Sequence, residues 1–307
     1  MWFRNLRLFQ LTESFDLDAE ALHQQLAAER FTPCGGLQLQ SLGWVSPLGP
    51  DHEPLVHAAN GCLMLCMRRE ERVLPSAVVR EALADKVRAI EAAEARQVRR
   101  KEQQKLKDDI VHELLPRAFT RSSHLYAYID PRSGWIVVDA ATAKKAEELV
   151  SLLRQSLGSL RARPFDVNQS PTALMTAWLN QGAPAGFEIG DECELREPVE
   201  GGGVLRCRNQ DLQAEEILNH LAAGKQVTKL AVSWDERLSC ILADDVSIKR
   251  LRFLDLVMDE AAEVAADDAV ARFDADFALL SLELSRFIPH WLTAFGGLAE
   301  EPGQGHA

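Results

Sequence analysis

Three groups of carboxylates have the residue type and spacing that chemistry would need: "DECE" at 191–194, "DD" at 244–245 and "DADF" at 274–277. A metal-dependent nuclease requires acids converging on a divalent ion that activates water and stabilises the leaving phosphate oxygen. Spacing alone does not bring them together. Asp244 and Asp245 fall where a hairpin turn is expected and Asp274 and Asp276 on a helical pattern, so a solvated turn and a solvated face are the plainer readings. "GGG" at 201–203 opens a strand rather than a helix, which makes it a tight turn and not a phosphate cradle. The chain has no G-x-G-x-x-G, G-x-x-x-x-G-K-[ST], H-E-x-x-H or G-x-S-x-G, so no cofactor is expected. Cys62 and Cys66 have three residues between them and no matching second pair, and read as buried thiols rather than zinc ligands. With Cys34, Cys193, Cys207 and Cys240 they are too scattered for a disulfide framework.

Cations supply a second kind of chemistry. The net charge is -12, yet "RQVRRKEQQKLK" at 96–107 carries six positive side chains against one negative. At the other extreme, eight acids between Asp255 and Asp276 face Arg272 alone. On one continuous helix Arg96, Arg99, Arg100 and Lys107 fall within roughly a 100° arc, with Lys101 and Lys105 opposite. Cations with only Glu102 among them point either to a solvated face or to an external polyanion. Strand parity adds a second cluster: Leu230, Val232 and Trp234 share the core-facing side of "KQVTKLAVSW", which turns Lys225 and Lys229 away, while "SIKRLRF" places Lys249, Arg250 and Arg252 nearby. A third cluster is "PRAFTR", with Phe119 between Arg117 and Arg121 in an expected loop; spacing reads the ring as a core plug, the alternative being an anchor against another surface.

These residues need elements to hold them. "WFRNLRLFQL" is strand-like, "DLDAEALHQQLAAERF" an amphipathic helix, and "LQLQSLGWVSP" and "HAANGCLMLCMRREERVL" are extended, giving an α+β lobe over 1–75. Between Pro75 and Pro116 no Gly or Pro interrupts a strong helix composition. Val79, Leu83, Val87 and Ile90 make one stripe and Leu106, Ile110 and Leu114 another, with little apolar between. One projecting helix or two folded back as a finger over 76–116 fits that pattern. A hairpin turning at "DPRSG" and a helix ended by Gly158 occupy 117–163. A C-terminal α+β lobe over 164–307 contains strands at "FEIGDECELR" and "GGVLRCRNQ", a helix capped by Asp211, a meander from Lys225 to Phe253 and two terminal helices. No run of 18 apolar residues and no leader pattern is present, so a soluble cytoplasmic protein without membrane contact is expected.

"MWFRNLRLFQL", "LLPRAFTRSSHLYAYID", "VDAATAKKAEELVSLLRQSLGSL", "AGKQVTKLAVSWDERLSC" and "RFDADFALL" resemble, in order, segments of the bacterial RdgC family of recombination-associated proteins. The resemblance implies a non-enzymatic, nucleoid-associated DNA-binding protein. Its horseshoe-shaped subunit would close as a ring-shaped homodimer around duplex DNA, and by occupying DNA would restrain the RecA recombinase; single-stranded DNA is a further expected partner. It makes Phe119 an anchor of ring closure. It also implies a basic patch at Arg206, Arg208, Asn209 and Gln210, where relatives can carry a lysine in place of Asn209. A basic lumen inside an acidic exterior would reconcile the local cations with a negative total. Two readings of other classes stand beside it: a metal-dependent nuclease acting on recombination intermediates, and a helical interaction adaptor without DNA contact.

Overall fold

A computed structural model describes residues 2–263 and 268–299. In chain order the elements are β1 (Leu6–Leu11), α1 (Ala19–Leu26), β2 (Gln40–Val45), β3 (Val56–Ala59), β4 (Cys62–Val73), α2 (Ser76–Glu94), α3 (Arg100–Leu114), β5 (Phe119–Asp130), β6 (Trp135–Asp139), α4 (Ala143–Leu157), β7 (Ala162–Pro164), α5 (Pro171–Gln181), β8 (Phe187–Arg196), β9 (Val204–Cys207), α6 (Glu215–Ala222), β10 (Gln226–Trp234), β11 (Leu238–Ala243), β12 (Ile248–Phe253), α7 (Asp255–Glu263) and α8 (Ala269–Ala294). The fold is α+β, and its strands join one antiparallel sheet of twelve, ordered β2-β4-β5-β6-β1-β12-β11-β10-β8-β9 with β3 on β4 and β7 on β1. Asp267 and the side chain of Glu263, two of the acids in the C-terminal run, lie outside the described residues.

The first strand joins the halves. Leu6 pairs with Asp139 on one side and with Ile248 on the other. Alternation along β1 then feeds two cores: Leu6 and Leu8 enter one with Val232, Trp234, Phe287 and Trp291, while Phe9 and Leu11 enter the other with Ile136, Val138, Leu149 and Leu153. α1 and α4 cover one side of the sheet over its N-terminal strands, and α5, α6 and α8 cover the opposite side over β8 and β10–β12. Among the described residues the α4 side of those C-terminal strands therefore has no helical layer from either core, and their second set of side chains is mostly polar, with Ala231 and Ile241 as exceptions.

Residues 76–114 are a helical hairpin. α2 ends at Ala95, in the left-handed region at φ 51°, and the chain returns through Arg96–Arg99 into α3. The expected stripes face inward, but the turn is not devoid of apolar packing: Val98 is buried, its N–H donates to Glu91 Oε1, and its carbonyl accepts from Gln103 Nε2. Lys86 and Glu113 bridge the helices at 2.8 Å, and Arg72 on β4 fastens the base by donating to the carbonyls of Leu115 and Ala118.

Two local expectations change. Asp211 does not cap the helix after β9; it accepts from the Gln213 N–H in a turn, and α6 starts at Glu215 after Ala214. Phe119 is the first residue of β5, opposite Val73, rather than part of a loop.

Candidate nucleic-acid interface

The uncovered face of β8–β12 holds a groove of about 420 Å³. Lys229 from β10, Arg206 from the end of β9, Arg208 just beyond it, and Lys249 and Arg250 from β12 line it, together with Glu192 and Glu194 of β8. Parity explains the gathering: Cys193, Leu195, Leu230, Val232 and Cys240 point into the core, so their neighbours in each strand point out. Five cations meet two carboxylates, a local excess of three positive charges in an acidic chain. Arg206 Nε donates to Glu194 at 2.8 Å and Lys229 Nζ at 3.0 Å, while Arg208 Nε donates to Glu192 at 3.0 Å and Arg250 also binds Glu192. Burial on its own would raise the Glu194 carboxyl, but hydrogen bonds from Arg206 and Lys229, with their charges, outweigh it and hold the group at about 2.

Backbone geometry at the groove is irregular. The β11–β12 pairing shifts register between Ser239 and Ile241, and Arg250 takes a left-handed φ of 51°, with its N–H on Asn5 Oδ1. An arginine in that region costs free energy that a regular strand would not. The bulge sends Arg250 and Arg252 to the uncovered face around the Leu251 core contact. Asn5 and Ala141 close one end of the groove, just before α4 begins after Thr142, a cap residue whose side chain makes no capping bond. Lys144 and Lys145, exposed in the first turn of α4 and three and four residues on from the groove-lining Ala141, are cations that the sequence reading did not include; their signal was the "KK" beside the helix start.

The predicted cations fall into separate sets. Arg206, Arg208, Lys229, Lys249 and Arg250 come together in the groove, and Arg252 lines an adjoining hollow with Arg250. Lys225 is held by Glu197, beside the 201–203 turn. Gln210 lines a different cleft with Glu188, Asp191 and Asp211, whose character is acidic. On the helical hairpin, Arg96 and Arg99 precede α3, so the single-helix arc does not describe them. Nor is Arg96 unpaired: Glu102 takes a two-pronged contact from it, at 2.7 Å for each nitrogen, and Arg96 also meets Glu94. Arg99, Arg100 and Lys107 stay exposed, and none of them ion-pairs among the described residues.

Phe119 is 86% exposed, which overturns the core-plug reading from spacing. Counting by twos along β5 from Ile129 and Ala127 places Arg121 and Phe119 on the α4 side of the sheet, the side that also carries the groove. Val73 beside it, and Leu37 and Leu39 on the loop before β2, are further exposed apolar side chains.

The carboxylates do not assemble into a metal centre: among the described residues no three His, Cys, Asp or Glu side chains are grouped to hold an ion. Asp245 pairs with Arg7, Asp274 with His57, and Glu192 and Glu194 with the groove cations. Five cysteines are buried and Cys34 is partly so, and burial pushes the Cys62 and Cys66 thiols up to about 12. Among the described residues no helix is long and apolar enough to cross a membrane.

Residues 1–298 match a family model described as "Putative exonuclease, RdgC". The chain is similar to the recombination-associated protein RdgC of Tolumonas auensis, 48% identical over 298 residues that span 97% of this chain and 99% of that protein. It is 47% identical to the protein of the same name from Pseudomonas aeruginosa strain PAO1, over 99% of this chain and all of that protein. With the Serratia proteamaculans protein of that name the identity is 44% over 98% of this chain and 99% of the relative. The chain belongs to the RdgC family of recombination-associated proteins.

Proposed function

We propose that two copies of this chain close as a ring around duplex DNA, hold it through its phosphates without reading bases, and by occupying it restrain RecA-dependent recombination. The groove carries the reading: five cations surround two carboxylates on a sheet face that no core helix covers among the described residues, in a chain of net charge -12. Single cations on an acidic surface do not concentrate phosphate, whereas a local positive excess does. Arg99, Arg100 and Lys107 on the hairpin, with Arg117 and Arg121 flanking Phe119, extend the positive surface, and single-stranded DNA shares the same phosphate chemistry. Such a protein works in the cytoplasm at the nucleoid.

Affinity for several unrelated duplexes, measured as salt is raised, tests it. Each neutralised phosphate contributes about -0.9 to the slope of log affinity against log salt, so six contacts give a slope near -5. A flat response, or a preference of ~1,000-fold for one sequence, refutes the reading. The exonuclease in the family description favours a second reading, a metal-dependent nuclease. Labelled linear DNA incubated with and without magnesium separates the two, since only the nuclease shortens the strand.

A further inference from the structure

Glu192 and Glu194 share the groove but are built differently. Glu194 has 6% of its side chain exposed, accepts from the buried Thr228 hydroxyl at 3.3 Å as well as from Arg206 and Lys229, and belongs to the framework of the sheet. Glu192 is 21% exposed, and among the described residues its partners are Arg208, just beyond β9, and Arg250, inside β12, which keep 69% and 49% of their own side chains exposed. Arg250 meets it from the left-handed backbone of the β12 bulge. A surface ion pair contributes little to folding, so the arrangement has no strong justification in stability. Its consequence for binding is larger: the carboxylate cancels charge on two arginines that an incoming phosphate needs.

We propose that Glu192 is an intramolecular stand-in for a nucleic-acid phosphate. It orders Arg208 and Arg250 in the empty protein and competes with the backbone for them, so that DNA is held weakly enough to move through or leave. This rests on the DNA-binding reading above. The geometry matches the ligand: Glu192 and Glu194 are two residues apart on β8, a separation of about 6–7 Å, close to that of neighbouring phosphates along one strand. Arg208 gives Glu192 its Nε, and a guanidinium has further N–H donors on the opposite edge for a second anion. Binding is then an exchange of anions on a preordered pair of arginines.

The test is a salt titration of duplex DNA binding by the full chain, comparing wild type with Glu192→Gln and Glu192→Ala. A third variant, Glu188→Gln, removes an exposed acid of the same strand whose one hydrogen bond among the described residues comes from the Ser233 hydroxyl at 3.4 Å. Loss of the Glu192 charge is expected to tighten binding about tenfold at low salt, the worth of one more charge-assisted contact, and to steepen the salt slope by about 1–2. Glu188→Gln is expected to change affinity less than about twofold, because a charge without a groove partner acts only through the screened field. In a chain already carrying Arg208→Gln and Arg250→Gln, Glu192→Gln should have no effect. Weaker or unchanged binding by both Glu192 variants overturns the proposal, as does an equal gain from Glu188→Gln. Loss of the folded transition in both Glu192 variants makes the acid structural and overturns it too. If the wild-type chain does not bind DNA, the parent reading fails and takes this one with it; wild-type binding without the Glu192 effect refutes this one alone.

Discussion

Phe119→Ala is the substitution on which the ring reading is most exposed. An aromatic side chain of ~200 Å² that is 86% exposed offers ~170 Å² to a partner. At ~25 cal/mol per Å², covering one ring fully is worth ~4 kcal/mol; half covering of each of the two rings in a homodimer gives the same total, about 1,000-fold in the dimer dissociation constant. The small covered remainder in the isolated subunit amounts to under ~1 kcal/mol of folding stability by the same conversion. Truncation should therefore separate association from folding. Sedimentation velocity across a concentration series reads the dimer constant, and thermal unfolding below the wild-type dissociation constant reads the subunit. The expected outcome is a dimer weakened by two to three orders of magnitude, a subunit melting within a few degrees of wild type, and shorter retention on circular DNA. An unchanged dimer constant would refute the anchor assignment, and a large fall in subunit stability would refute the exposure argument itself.

Two further predictions concern the framework. Ala95 sits at φ 51° where α2 ends, so Ala95→Gly should remove backbone strain and stabilise the helical hairpin by about 0.5–1 kcal/mol, read by urea denaturation, with DNA affinity unchanged. Glu194 titrates at about 2 in the folded chain against an ordinary 4.5, so it binds protons less readily when folded; its stabilisation is complete above about 4.5 and is lost as pH falls towards 2. Thermal melts from pH 6 to 2 should show wild type losing stability more steeply than Glu194→Gln across that interval, and parallel curves would contradict the depressed titration.

Local patterns were legible because each depends on neighbours a few residues away. The alternation of Leu125, Ala127 and Ile129, the "DPRSG" turn, the meander ending at Phe253 and the inward stripes of α2 and α3 all follow from side-chain period and turn chemistry. The break at Ala95 was harder to read, because nothing in the helix formers of "EAAEARQ" at 91–97 forbids a continuous helix; Val98 and its bonds to Glu91 and Gln103 supply the reason for the turn only once the two helices are side by side. The exposed ring of Phe119 was misread from spacing for a similar reason, since an apolar residue between polar ones is core or interface according to what the far end of β4 and the loop before β2 leave uncovered.

By itself the sequence determined the alternation of elements, the finger, the acidic total and the cationic segments, since charge and period are properties of the chain. Tertiary structure decided which cations act together. β8 had to pair with both β9 and β10, and β11 with both β10 and β12, before Arg206, Arg208, Lys229, Lys249 and Arg250 shared a face with Glu192 and Glu194. The same contacts tied Arg96 to Glu102 and Lys225 to Glu197. A formal charge is written in the sequence, but the charge available to a ligand depends on which counter-charge lies within a few ångströms, and that distance is set by contacts between residues far apart in the chain.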